Sequence, residues 1–176
     1  MAATPRFWCS ICRAMKPEVP AAEAEGPRLY LEDLRPGQRF ETGNREVSEA
    51  DIVAFAAQFD PQPFHLDAAA ARSSVFGGIV ASGWHTAAIT MRLLIESGPP
   101  LAGGTVGLGA EISWPKPVRP KDVLHVEAEI LDIEPSRTRP GRGRTTMRSE
   151  TRNQRGEVVQ LTVAKLLVPR RPPPTS

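Results

Sequence analysis

The feature that most constrains the fold is a long helical segment that is apolar almost all the way round. It runs from about Gly83 to Glu96 and reads "GWHTAAITMRLLIE", with large apolar side chains spread around the helix. A helix of this kind is normally surrounded by other parts of the protein, because its apolar side chains would otherwise contact water. We therefore expect other elements to cover this helix on most sides.

Four strand-like segments that follow the helix can supply this cover. They are "TVGLGAEISW", "DVLHVEAEILDI", "RTTMRSETRN" and "EVVQLTVAKLLV", and turn-forming sequences separate them. In the second segment Val126, Ala128 and Ile130 alternate with polar residues, so one face of that strand is expected to contact water. One buried helix followed by four long strands predicts an α+β fold, in which an antiparallel β-sheet wraps around a long central helix.

The segment before the helix places two prolines close to an acid and an imidazole. "RFETGNREV" predicts a short strand, and Ser48 is suited to be the N-cap of a helix over "EADIVAFAAQF". The prolines in "FDPQPFHLD" end that helix and form a stiff turn that holds Asp60 and His65, five residues apart. On the residues alone, this turn is either a mount for a catalytic pair or a structural loop.

Length and charge favour one ordinary globular domain. The chain has 176 residues and a formal net charge of +2, which is too small to favour nucleic acid or a membrane surface as a partner. No apolar stretch reaches the roughly 20 residues that span a bilayer, and the N-terminus lacks the apolar core of a signal peptide. We expect a soluble, cytoplasmic protein with an irregular arm at 1–27, a folded domain at 28–168 and a proline-rich tail at 169–176 that cannot join a sheet.

Neither the cysteines nor the histidines predict a metal or redox centre. Cys9 and Cys12 have C-x-x-C spacing, but the chain has no second pair of cysteines to complete a zinc site, and prolines flank the motif. The three histidines fall on three different elements without ligand spacing. We therefore expect no metal and no redox cofactor, and no part for the cysteines in the main function.

Two longer stretches carry a family resemblance. "FDPQPFHLDAAAARSSVFGGIVASGWHTAA" followed by "SWPKPVRPKDVLHVEAEI" resembles the MaoC-like acyl dehydratases, which include the (R)-specific enoyl-CoA hydratases. The family signature Asp-x-Asn-Pro-x-His corresponds to residues 60–65, and a helix-opening glycine follows the histidine by 18 positions, at Gly83. The resemblance covers roughly residues 29–168 and implies a hotdog fold. The chain departs from the family pattern at Gln62, Ser82 and Met91, where the family has asparagine, histidine and, in some hydratases, serine.

The resemblance also implies a reaction and the residues that carry it. The implied activity is that of a lyase that adds water reversibly to a 2-enoyl thioester, with coenzyme A or acyl carrier protein as part of the substrate and no other cofactor. It further implies a homodimer or a higher homo-oligomer with the site near the dimer interface. The implied site comprises the catalytic residues Asp60 and His65, the backbone N–H of Gly83 as oxyanion donor, and the substrate-binding residues Gln62, Pro63, Phe64 and Ser82.

Two other functions stay open at this point. A hotdog thioesterase usually places its acid on the central helix, where this chain has Glu96 at the far end and no other acid. A non-catalytic subunit that binds acyl thioesters is compatible with the three departures from the family pattern. A run of arginines between residues 137 and 155 is either a phosphate site for coenzyme A or an exposed face with counter-charges, and the second is favoured.

Overall fold

The computed structural model describes residues 27–173, which form one antiparallel sheet, a short 3-10 helix (Leu31–Asp33) and four α-helices. The helices are α1 (Glu49–Phe59), α2 (Pro63–Leu66), α3 (Ala68–Arg72) and α4 (Gly83–Ser97). The strands are β1 (Arg39–Glu41), β2 (Arg45–Glu46), β3 (Val106–Ser113), β4 (Val123–Pro135), β5 (Arg142–Arg152) and β6 (Val158–Pro169). The predicted α+β architecture is confirmed, and α4 is its long helix. The predicted arm with Cys9 and Cys12 lies outside the described residues.

The order of the strands places the strand after α4 at one edge of the sheet. The order is β1-β4-β5-β6-β3, and β2 pairs with β4 beside β1. β3 therefore pairs with the last strand of the chain, from Val106 opposite Leu167 to Ser113 opposite Leu161. Within residues 27–173, β3 has a neighbour on one side only.

The core lies between one face of the sheet and the helices. On β4 every second residue from Leu124 to Ile130 is buried, as the alternation in the sequence predicts. The facing side of α4 contributes Ile89, Leu93 and Leu94 to the same cluster. Burial of such a side chain contributes about 1.5–3 kcal/mol, so this contact is a main source of stability for the helix.

The expectation that α4 is covered on most sides is wrong. Trp84 is 61% exposed, Met91 49% and Ile95 60%, although each is a large apolar side chain. The side of the helix with Ile89, Leu93 and Leu94 packs in the core, and the side that carries these three residues stays largely exposed. Packing in the protein's own core therefore does not explain why this second side of the helix is apolar.

Two smaller expectations also need correction. "RFETGNREV" forms two short strands, because its pairing with β4 shifts by one residue between Glu41 and Arg45. The tail was expected to stay out of the sheet, but Pro169 ends β6 opposite Arg142. A proline is tolerated there because the pairing of β6 with β3 ends at Leu167, so β6 is an edge strand at Pro169.

The first residues after β6 also contact the domain. Arg170 pairs with Glu32 at 2.7 Å, and Arg171 pairs with Asp33 at 2.7 Å. The first positions of the predicted tail are therefore bonded to the start of the described chain. Within residues 27–173 no helix combines the length and the apolar character that crossing a membrane requires.

Candidate active site

The two prolines give the segment after α1 a different form from the expected single turn. α1 ends at Phe59, and the Asp60 N–H still donates to the carbonyl of Ala56 at 3.0 Å. Pro61 cannot continue the helix, because it has no N–H to donate. Pro63 then occupies the first turn of α2, where proline is favoured because no N–H is needed. The segment is a short break followed by one helical turn, and this turn carries His65.

His65 is held in one orientation by the backbone. Its side chain is 6% exposed, and Nδ1 lies 2.7 Å from the carbonyl oxygen of Val80. A carbonyl oxygen can only accept, so the hydrogen is on Nδ1. Phe64 packs edge-on against the ring, with 4.5 Å between the centroids. Nε2 is therefore the nitrogen that faces the acid, and it lies 3.3 Å from Oδ2 of Asp60.

Asp60 accepts hydrogen bonds from two further side chains. The Ser82 hydroxyl donates to Oδ2 at 2.6 Å, and Nε2 of Gln62 donates to Oδ1 at 2.8 Å. The Ser82 hydrogen bond is the main cause that holds the pKa of Asp60 below its usual range, Gln62 and His65 act in the same direction, and burial opposes them. Asp60 is therefore a carboxylate at neutral pH.

The start of α4 lies beside this carboxylate. Ser82 is the N-cap of the helix, and its Oγ also accepts from the Trp84 N–H at 3.2 Å. Gly83 is the first residue of the helix, and in the part of the chain that the structure describes its N–H has no acceptor. Free amides at a helix N-terminus carry a partial positive charge and favour an oxyanion.

One cleft of about 470 Å³ brings the predicted residues together. Six of the seven predicted site residues line it: Asp60, Gln62, Phe64, His65, Ser82 and Gly83. Pro63 is outside the lining and starts α2 instead. Gln62 and Ser82 direct their polar atoms at Asp60, so the structure gives them contacts to the acid, and their contact with substrate stays a prediction.

Comparison with known proteins identifies the family to which this fold and cleft belong. The sequence model of the MaoC-like domain matches residues 33–153. The chain belongs to the MaoC-like dehydratase family. A MaoC-like dehydratase from Rhodospirillum rubrum is 61% identical, with a TM-score of 0.81 over 82% of this chain and 99% of that one. The R-hydratase PhaJ1 from Pseudomonas aeruginosa is 30% identical, with a TM-score of 0.65 over 85% of this chain and 96% of that one. The predicted hotdog fold is confirmed by these neighbours.

Two curated proteins are also similar to this chain. A 3-hydroxybutyryl-CoA dehydratase from Methylorubrum extorquens is 34% identical over 113 residues, which are 63% of this chain and 69% of that protein. The uncharacterized protein YdeM from Bacillus subtilis is 40% identical over 116 residues, which are 64% of this chain and 81% of that protein.

The arginine run of this MaoC-like chain divides into two groups. Four arginines pair with carboxylates: Arg144 with Glu134, Arg148 with Glu129, Arg152 with Glu127 and Glu150, and Arg155 with Asp122 and Glu157. These four arginines therefore lie beside counter-charges, as expected from the sequence. Within residues 27–173 no carboxylate pairs with Arg137, Arg139 or Arg142, which lie at the β4–β5 connection.

Two residues of the site were not assigned a role from the sequence. Val80 fixes the tautomer of His65 through its carbonyl oxygen, and a backbone contact of this kind leaves no signal in a single sequence. Trp114 lies so close to Gly83 that a Cβ at Gly83 would be 2.8 Å from its Cε2. The only signal for Trp114 was its position between a strand and the turn that starts at Pro115.

Proposed function

We propose that this MaoC-like chain is a hydratase or dehydratase that adds water reversibly to a 2-enoyl thioester of coenzyme A or acyl carrier protein. The observation that carries the proposal is the pair formed by Asp60 Oδ2 and His65 Nε2, 3.3 Å apart beside the free N–H of Gly83. The R-hydratase and the 3-hydroxybutyryl-CoA dehydratase among its relatives bear names of the same reaction class.

The pair suits the activation of one water molecule. When Nδ1 carries the ring hydrogen and Nε2 carries none, Nε2 of His65 presents a lone pair, and the Asp60 carboxylate presents lone pairs beside it. A water molecule can donate one hydrogen to each, which directs its oxygen away from the pair. In hydration that oxygen bonds to C3, one hydrogen of the water passes to the pair with Asp60 as base, and the pair returns a proton to C2.

The negative charge that develops during this addition needs a donor. As the C3–O bond forms, charge moves to the thioester oxygen, and the Gly83 N–H at the start of α4 is free to bind it. In other enzymes the loss of one such donor raises the barrier by about 3 kcal/mol. The neighbouring Asp60 carboxylate accepts from Ser82 and Gln62.

A second, apolar cleft offers room for an acyl chain. It measures about 360 Å³ and lies between α4 and the sheet, with Met91 and Leu94 on one side and Ile112 and Leu166 on the other. Burial of a methylene group from water contributes about 0.8 kcal/mol, so such a cleft binds hydrocarbon well.

The open edge of β3 supports a homodimer. Val106 is 45% exposed and Leu108 53%, on a strand whose outer edge has no partner in the described chain. Two copies related by a two-fold axis can pair these edges antiparallel, and the exposed Trp84 and Met91 of α4 are further apolar side chains that such an interface can cover. Light scattering should give a dimer that Leu108→Lys dissociates. A monomer for both would refute the pairing.

The reaction is tested by the loss of enoyl absorbance with a panel of trans-2-enoyl-CoA substrates, while free thiol is measured in parallel. Asp60→Asn should abolish the loss, because it removes the charge that accepts the proton. Asp67→Asn is the matched control, since Asp67 is an exposed N-cap of α3 outside the cleft and asparagine also caps.

Each other outcome of this assay points to a different function. Release of thiol would indicate a thioesterase, although Glu96 lies exposed at the end of α4 and is paired with Arg92 at 2.6 Å. Binding of saturated acyl-CoA without turnover of any enoyl-CoA would indicate a non-catalytic acyl-thioester-binding subunit. Equal activity of Asp60→Asn and Asp67→Asn would refute the proposed mechanism.

A further inference from the structure

Trp114 stands at the junction of the two clefts. Its indole lines the cleft of Asp60 and His65, and its Nε1 donates at 2.9 Å to Oε1 of Gln160, which lines the apolar cleft. The cleft of Asp60 and His65 lies between the start of α4 and the segment that follows β3, and the apolar cleft lies farther along α4 against β3, β5 and β6. Trp114 therefore contacts one residue of each cleft, Gly83 in the first and Gln160 in the second.

The indole is held in place from two sides. Its ring lies against the backbone of Gly83, where a Cβ would come within 2.8 Å of Cε2. On the other side the hydrogen bond ties it to Gln160, whose side chain is buried and donates in turn to Thr162 at 3.0 Å. The position of the tryptophan thus requires glycine at position 83.

The same side chain has open space on its exposed side. Trp114 is 39% exposed, follows the last paired residue of β3, and contacts Trp84 edge-on with 5.5 Å between the ring centroids. Movement away from Gly83 breaks one hydrogen bond and leaves the buried Oε1 of Gln160 without its donor. An unpaired buried acceptor is unfavourable, so the closed position is favoured until a ligand replaces the contact.

We infer that Trp114 is a movable partition between the two clefts and sets the length of acyl chain that this site accepts. Its hydrogen bond to Gln160 holds it in the closed position. The inference rests on the proposed function, because it assumes an acyl thioester in the first cleft. A short acyl group fits with the indole in place. A longer chain must displace the indole to reach the apolar cleft, so its added methylene groups gain little affinity.

The test measures binding and not turnover. Dissociation constants of saturated acyl-CoA thioesters, from four to twelve carbons, are determined by calorimetry for wild type, Trp114→Ala, Gln160→Leu and the control Leu131→Ala. Leu131 is an exposed apolar residue of β4 outside both clefts. Far-UV circular dichroism confirms folding, and Trp114→Phe and Gln160→Leu serve if Trp114→Ala does not fold.

The expected result is a change in the dependence on chain length. For wild type and Leu131→Ala the affinity should stop rising beyond a short chain. For Trp114→Ala it should keep rising by about fourfold per methylene, which is the ~0.8 kcal/mol of methylene burial converted at about 1.4 kcal/mol per tenfold change. Gln160→Leu should shift the limit in the same direction by a smaller factor, because the indole then moves without losing a hydrogen bond.

Three results would overturn the partition. The first is an affinity that rises continuously with chain length in wild type, and the second is an unchanged dependence on chain length in Trp114→Ala and Gln160→Leu. The third is an equal loss of affinity at every chain length, which would mean that Trp114 only supports Gly83. Failure of wild type to bind any acyl-CoA would overturn the partition together with the proposed function. Binding with the expected profile but without hydration would overturn the proposed function alone.

Discussion

Replacement of Ser82 by alanine removes two contacts of one hydroxyl group. The hydroxyl accepts from the Trp84 N–H as the N-cap of α4 and donates to the carboxylate of Asp60 at 2.6 Å. Ser48→Ala is the matched control, because Ser48 caps α1 in the same way and donates to a carboxylate at the protein surface. The exposed hydrogen bond of Ser48 competes with water and contributes little, so the difference between the two variants reports the part-buried hydrogen bond to Asp60.

The size of this difference follows from the contacts. Each variant loses a cap worth about 1 kcal/mol. A hydrogen bond to a charged group contributes about 1.5–3 kcal/mol, and the lower value applies because the Asp60 side chain is 19% exposed and water can replace the hydroxyl. The free energy of unfolding should fall by about 2.5 kcal/mol in Ser82→Ala and about 1 kcal/mol in Ser48→Ala. For a chain of this length, this lowers Tm by about 5–10 °C and about 2–4 °C.

The pH dependence gives a second, independent measurement. Since the Ser82 hydrogen bond lowers the pKa of Asp60, its contribution is complete above the ordinary value of 3.8 and is lost as the pH falls through the lower pKa of the folded protein. In Ser82→Ala the pKa of Asp60 rises, so the acid side of the kcat/KM profile should move to higher pH. Equal thermal losses in Ser82→Ala and Ser48→Ala, with the acid side unmoved, would refute the reasoning.

Two further predictions concern the helix that carries the site. His85 is buried against Phe55 with 4.7 Å between the rings, and burial lowers its pKa from 6.5, so the protein should lose stability as the pH falls below that value. His85→Phe should remove this part of the loss, as denaturant unfolding at neutral and mildly acidic pH will show; the same loss in both proteins would contradict it. Gly83→Ala should destabilise by about 1–3 kcal/mol, because its Cβ would meet Trp114. When Gly83→Ala is combined with Trp114→Ala, the loss of stability measured by thermal unfolding should be smaller than the sum of the two single losses. Losses that simply add would contradict the clash.

Local patterns in the sequence predict most of the fold. Ser48 caps α1 as its position before an apolar helical pattern indicates, and α4 begins at Gly83 as the glycine and the preceding serine suggest. The alternation along β4 predicts its buried and wet faces. The resemblance brings Asp60 and His65 together as candidates, and the structure places them 3.3 Å apart.

Long-range contacts explain what the sequence does not predict. Hydrophobicity marks Trp84 and Met91 as apolar but does not tell whether the chain's own sheet covers them. The hydrogen bond from Ser82 to Asp60 joins residues 22 positions apart, and the contact of Trp114 with Gly83 joins two different elements. Such pairings depend on how α4 and β3 pack, which a single sequence does not specify.

The central claim is that the Asp60–His65 pair adds water across the double bond of an enoyl thioester. The most direct measurement incubates the protein with an enoyl-CoA in water enriched in oxygen-18 and analyses the product by mass spectrometry. The account predicts one label, in the C3 hydroxyl group of an intact 3-hydroxyacyl thioester, and no such product with Asp60→Asn. A label in a free carboxylate, or a labelled hydroxyl group that persists in Asp60→Asn, would contradict it.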